Sequence, residues 1–156
     1  MSYPYKNEIH NLVKDDCWSG FFRDPEKSPR EFPLRLSDCI GRADFCYEFE
    51  ESGKLFIEDD DAPRAINNLI KYWRWCLEHH EERPIVLIHI IGDMGGIQID
   101  HCQFLKTRME KDLTKSKFRY HIIQIEGKAN AWATPESWLA EVRKILSEIA
   151  SNRSGQ

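Results

Sequence analysis

The chain has 156 residues, 41% of them apolar and 12% aromatic, enough to bury one proper core, so a single domain is expected over residues 1–150 with a flexible tail at 151–156. Its net charge of -4 excludes broad coating of nucleic acid, which rests on neutralising phosphates, but leaves room for a local basic surface. No apolar run approaches the roughly 20 residues needed to span a bilayer, and the start MSYPYKNEIH has no basic-then-apolar signal region, so a cytoplasmic protein without membrane contact is expected.

Residues 5–14, YKNEIHNLVK, read as a short helix. Residues 17–41 are rich in Pro, Asp, Ser and Gly and read as an irregular segment with one strand near 31–36. Residues 43–49 and 54–59 alternate as a hairpin whose turn is Ser52-Gly53. From Ala62 to His80 the residues Ile66, Leu69, Ile70, Trp73, Cys76 and Leu77 recur at helical spacing. Asp61 is placed to cap this helix, and Pro63 suits its first turn. On this helix Trp73 is expected to face the core and Trp75 to lie nearer a polar stripe.

IVLIHII at 85–91 is the β-branched run of a central buried strand. A Gly-rich turn, GDMGG, follows, then a helix over about 99–115 with Ile99, Cys102, Leu105, Met109 and Leu113 on one face. FRYHIIQIE at 118–126 reads as a further strand. The last helix opens at Thr134-Pro135, where TPES is a capping signal, and buries Trp138, Val142, Ile145 and Ile149. The elements together predict an α/β protein, a mixed sheet with helices on both faces.

Five cysteines, with no C-x-x-C and no His/Cys pair at zinc spacing, suggest reduced thiols in place of a disulfide framework or a zinc ribbon. The chemistry-bearing stretch is residues 42–72. An Asp enters one strand in RADF, the next strand ends LFIEDDD, and the helix carries Asn68 and Tyr72. That order places Asp44, Glu58 and Asp60 at one end of one sheet, facing one helix. Converging carboxylates repel, so they ordinarily need a cation. Taken singly the parts have plainer readings: an Arg42–Asp44 ion pair, a solvated turn capped by Asp61, and a polar helix face.

In this order of elements and residues the chain resembles the PD-(D/E)xK nuclease superfamily, the restriction-endonuclease-like fold, over roughly residues 5–92. The resemblance implies an αβββαβ core: a helix, three antiparallel strands, a crossover helix and a further strand. It matches the motif Asp to Asp44 and the motif Glu to Glu58. The lysine two residues after that Glu is here Asp60, a departure. Members of the family often carry Gln-x-x-x-Tyr on the next helix, and Asn68 to Tyr72 is similar, with Asn for Gln. Some use a Glu on the first helix, for which Glu8 is the candidate.

What the resemblance implies is Mg2+ or Mn2+ held by Asp44, Glu58, Asp60 and Glu8, with Asn68 and Tyr72 positioning the substrate. Such an ion lowers the pKa of a bound water and stabilises charge on a phosphate. The missing lysine is a chemical gap, because an aspartate donates no charged hydrogen bond. Related nucleases carry that lysine on the following helix, and Arg64, Asn68, Lys71 and Trp75 form one helical stripe here. Lys71 or Arg64 is therefore the candidate replacement.

Three readings stand on the sequence. The first is a metal-dependent phosphodiesterase acting on nucleic acid. The second is a catalytically inactive nuclease-fold module that binds or regulates, with a protein partner or a narrow basic patch. The third is an unrelated α/β domain binding a small molecule at GDMGG, which lacks both the dinucleotide and the phosphate-loop pattern.

Overall fold

A computed structural model gives the architecture, and it describes residues 6–14, 21–23, 30–49, 53–79, 83–92, 96–115, 117–125 and 136–154. The order is α1 (Lys6–Val13), β1 (Phe22–Arg23), β2 (Arg30–Arg35), β3 (Ile40–Phe49), β4 (Gly53–Asp61), α2 (Ala62–His79), β5 (Ile85–Gly92), α3 (Gly96–Asp112), β6 (Arg119–Ile125) and α4 (Glu136–Ser154). The strands form one mixed sheet in the order β1-β3-β4-β5-β6, with β2 also paired to β3. Strands β2, β3 and β4 are antiparallel. Strands β4, β5 and β6 are parallel.

The β3–β4 hairpin forms because its residues alternate and its turn ends in glycine. A Cβ at Gly53 would lie 2.5 Å from the ring of Phe49, its cross-strand partner, so only glycine lets that ring lie across the strand. Strand β5 is buried at every position. Its apolar residues serve both faces, as a central parallel strand requires.

Two hydrophobic layers flank the sheet. One joins Ile9, Leu12 and Val13 of α1 and Trp138, Val142, Ile145 and Leu146 of α4 to Tyr47, Ile57 and Ile88. The other joins Leu69, Tyr72, Trp75 and Cys76 of α2 and Met109 of α3 to Phe56, Leu87 and Tyr120. The α/β class, the mixed sheet and the helices on both faces agree with the expectation. No helix among the described residues is long and apolar enough to cross a membrane.

Three details differ from the sequence reading. Helix α3 begins at Gly96, inside the glycine-rich turn. Helix α4 runs on to Ser154, through most of the segment expected to be a tail. In α2 the two tryptophans exchange roles: Trp75 is buried against Phe56, with rings 5.5 Å apart, and Trp73 is partly buried. Ile70 and Leu77 are exposed. The helix is turned so that its polar stripe, Asn68-Lys71-Tyr72-Trp75, meets the sheet. The Ser52 half of the hairpin turn, the Thr134-Pro135 cap and residues 93–95 of GDMGG lie outside the described residues.

Helix α2 is fixed in that rotation at its last turn and along its middle. Its last turn ties to the β2–β3 hairpin through Arg74–Asp38 at 2.8 Å, Ser37 Oγ donating to Glu78 at 2.9 Å, and His79 on the carbonyl of Arg35 at 2.7 Å. These are exposed bonds, each of small energy, but several acting together set the helix's direction. Its middle is held by burial of Leu69, Tyr72 and Trp75, worth roughly 1.5–3 kcal/mol for each large apolar side chain.

Candidate functional site

The site begins where β3 and β4 part. Their ladder runs from Phe49↔Gly53 to Phe45↔Ile57. Beyond it β3 continues against β2, and β4 continues against β5 as far as Asp61↔Gly92. Side chains take over at this point. The amide of Asp44 donates to Glu58 Oε2 at 3.3 Å, and the amide of Asp59 donates to Asp44 Oδ2 at 2.9 Å. The two carboxylates thus sit at one fork, each holding the other strand's backbone.

Strand alternation sends Glu58 and Asp60 to the α2 face and Asp59 to the opposite one. Glu58 is 4% exposed and Asp60 is 7% exposed. Glu58 Oε2 also accepts the hydroxyl of Tyr72, and its Oε1 lies 3.4 Å from Lys71 Nζ. Burial, and then the charge of Asp44, push Glu58 up to about 7, against the lowering effect of Lys71 and Tyr72. Desolvation outweighs the ion pair here because a single ammonium at this distance does not replace the water lost. Burial and the Glu58 charge hold the Tyr72 hydroxyl well above its ordinary range, so it serves as a donor.

Lys71 reaches the fork over a glycine. Its ammonium donates to the carbonyl of Arg42 at 2.6 Å, to Asn68 Oδ1 at 3.1 Å and to Glu58 Oε1 at 3.4 Å. A Cβ at Gly41 would stand 2.9 Å from Lys71 Cδ. The missing side chain at position 41 is therefore the channel through which the lysine passes. Asp60 sits deeper. Its Oδ1 accepts Asn68 Nδ2 at 2.6 Å and its Oδ2 lies 2.7 Å from His89 Nε2. His89, fully buried on β5, has its Nδ1 2.8 Å from the hydroxyl of Tyr120 on β6.

Of the residues singled out in the sequence, the structure brings together Asp44, Glu58, Asp60, Asn68, Lys71 and Tyr72. Two others make no hydrogen bond or ion pair with this group among the described residues. Glu8 is exposed on α1, whose buried residues belong to the other layer. Arg64 is exposed in the first turn of α2. His89, Tyr120 and Gly41 belong to the site and were not singled out. A lone histidine inside IVLIHII was the available signal, since a polar residue in a buried strand must have partners.

Among the described residues, no three of the His, Cys, Asp and Glu side chains form a group arranged to hold a metal. Mg2+ asks for less: it is commonly bound by one or two carboxylates, with waters and phosphate oxygens completing its shell. Asp44 and Glu58 are hard oxygen donors bridged at one fork, and a buried carboxylate resisting ionisation beside another is stabilised by a cation. The donor set fits such an ion at Asp44 and Glu58. Asp60 fits it less well: Asn68 and the fully buried His89 hold its two oxygens at 2.6 and 2.7 Å, whereas Glu58 Oε1 has only the longer 3.4 Å contact with Lys71. No protein family, no curated protein and no solved structure matches the chain.

Proposed function

We propose that the chain is a divalent-cation-dependent phosphodiesterase acting on nucleic acid, with Lys71 standing in for the lysine that Asp60 replaces. The observation that carries this reading is the lysine's place. It enters from α2, crosses Gly41 and puts its ammonium at 3.4 Å from Glu58, the acid at the fork with Asp44. The order α1, three antiparallel strands, α2 and a parallel β5 also supports the comparison with the PD-(D/E)xK plan.

In this reading Asp44 and Glu58 would hold Mg2+ or Mn2+. When bound, the ion supplies an activated water and stabilises charge on the phosphate. The chain's own residues do the rest. Tyr72 and the Asp44 amide fix one oxygen of Glu58. Lys71 is the catalytic cation: its ammonium, held by three acceptors of the chain, offsets the negative charge that grows during displacement. Arg64 and Arg42, both exposed, give the local basic surface that an acidic chain needs to meet a phosphodiester. The reading places the protein in the cytoplasm, in keeping with its free thiols at Cys39, Cys46 and Cys102.

The test is cleavage of supercoiled plasmid and of single-stranded DNA and RNA with Mg2+ or Mn2+. Cleavage by the natural chain, abolished in Asp44→Asn and reduced in Lys71→Ala, is the expected result. No cleavage of any substrate contradicts the reading.

One observation favours a second reading, a nuclease-fold module that binds without cutting. Both oxygens of Glu58 and of Asp60 have partners within the chain, so the site is internally satisfied. Nucleic-acid or protein binding without strand scission would then be the outcome of the same assay combined with a pull-down.

A further inference from the structure

Asp60 is the anomaly of the sequence, a negative charge where a positive one is expected, and its surroundings explain it. The hydrogen-bond directions along the site are fixed by chemistry. A carboxylate only accepts, so Asn68 must turn its NH2 to Asp60. Its carbonyl then faces the other way, toward Lys71 Nζ at 3.1 Å. An ammonium only donates, so that orientation of Asn68 is the one that binds it. Asp60 thereby dictates which end of Asn68 the lysine meets.

Asp60 is in turn fixed from behind. His89 Nε2 faces its Oδ2 at 2.7 Å, so that nitrogen carries a proton whichever charge the ring has. The Tyr120 hydroxyl at 2.8 Å from Nδ1 stops the ring from flipping. His89 is fully buried, Asp60 nearly so, and neither has room to meet a substrate.

We propose that Asp60 and His89 are positioning residues: a buried dyad, backed by Tyr120, that orients Asn68 and through it holds the Lys71 ammonium against Glu58. The proposal rests on the reading of Lys71 as the site's catalytic cation. It assigns Asp60 to holding the relocated lysine and takes it out of the metal shell. An acid has then replaced the lysine in sequence because it supports that lysine in space.

The experiment reads Lys71 directly, without cleavage. Reductive methylation with formaldehyde and borohydride is followed at each lysine by mass spectrometry. Lys71 Nζ is largely covered and held by three acceptors, so it is expected to react slowly beside the exposed Lys111 and Lys115. His89→Gln, which keeps an amide donor near the place of Nε2, should retain that protection. His89→Phe should raise the rate at Lys71 about tenfold and leave Lys111 and Lys115 unchanged.

A paired Asp60→Leu/His89→Phe variant covers the case in which His89→Phe does not fold. Replacing both partners by apolar groups leaves no buried charge unpaired. It too should release Lys71. Calorimetry with Mn2+ gives a second reading: a dissociation constant within about threefold of the natural chain is expected for the pair. Unchanged Lys71 reactivity in the folded variants overturns the proposal, and so does a more than tenfold loss of Mn2+ affinity, which would make Asp60 a ligand. A chain that cuts nothing but shows this pattern of protection keeps the dyad's role and loses only the phosphodiesterase reading.

Discussion

Lys71 of α2 and Glu58 of β4 meet at 3.4 Å across the fork where β3 leaves β4, and the meeting depends on a third residue that touches neither charge. Gly41 leaves the space through which the lysine stem runs. The pair lies in a setting where burial resists the ionisation of Glu58, so the lysine moderates that resistance without removing it. In the proposed reading a divalent cation would supply the rest.

Gly41→Ala separates folding from function. Alanine suits a strand better than glycine by roughly 0.5–1 kcal/mol, but its Cβ would press on Lys71 Cδ at 2.9 Å. The expected result is a melting temperature within a few degrees of the natural chain and a single-turnover cleavage rate about tenfold lower. Unchanged cleavage would show that Lys71 need not follow its present path.

The pH dependence of stability follows from Glu58. Its folded value, about 7, lies above the ordinary 4.5, so the folded state binds the proton more tightly than the unfolded one. The stability this contributes is fully present below about 4.5 and is lost as pH rises through about 7, an effect of roughly 3 kcal/mol. Glu58→Gln keeps the shape and removes the charge. In a chelator-containing buffer its melting temperature should exceed that of the natural chain at pH 8, and the gap should close by pH 4.5. An equal gap at both pH values would contradict the assignment.

Much of the fold was legible because its elements keep one period. IVLIHII and LFIEDDD read as strands from their side chains alone, and the carboxylates of Asp44 and Glu58 follow from strand ends that must lie together. The rotation of α2 was harder to read. Its sheet-facing stripe contains Asn68 and Lys71, so a count of apolar positions turned Ile70 and Leu77 inward and Trp75 outward. Buried polar residues on a helix defeat a hydrophobic tally. The dyad was beyond reach for another reason: His89 meets Asp60 across 29 positions and Tyr120 across 31. Such pairing comes from parallel strand register, which no local pattern encodes.

Tyr72→Phe removes one hydroxyl from a buried site and nothing else. The ring still packs on Phe56, with centroids 5.1 Å apart. Loss of a hydrogen bond to a charged acceptor costs about 1.5–3 kcal/mol when that acceptor is ionised. Chemical denaturation at pH 8 should show a loss of that size, smaller at pH 5, where Glu58 is protonated. A loss independent of pH would assign Tyr72 to packing alone.

Lys71→Ala tests the relocated cation in the reaction. Removing one preorganised positive charge from beside a developing phosphate charge ordinarily costs about 10²–10³ in rate. That loss should fall on kcat, with KM changed little, because the ammonium acts where charge grows. A variant that cuts at the natural rate would return the role to Arg64 or to no basic group at all.

The most direct measurement is a crystal soaked in Mn2+ at pH 8 with diffraction recorded near the manganese edge. The account predicts one anomalous peak within bonding distance of the carboxylates of both Asp44 and Glu58, with Asp60 still on Asn68 and His89. A peak elsewhere, or none at a concentration that saturates ordinary carboxylate sites, would contradict it.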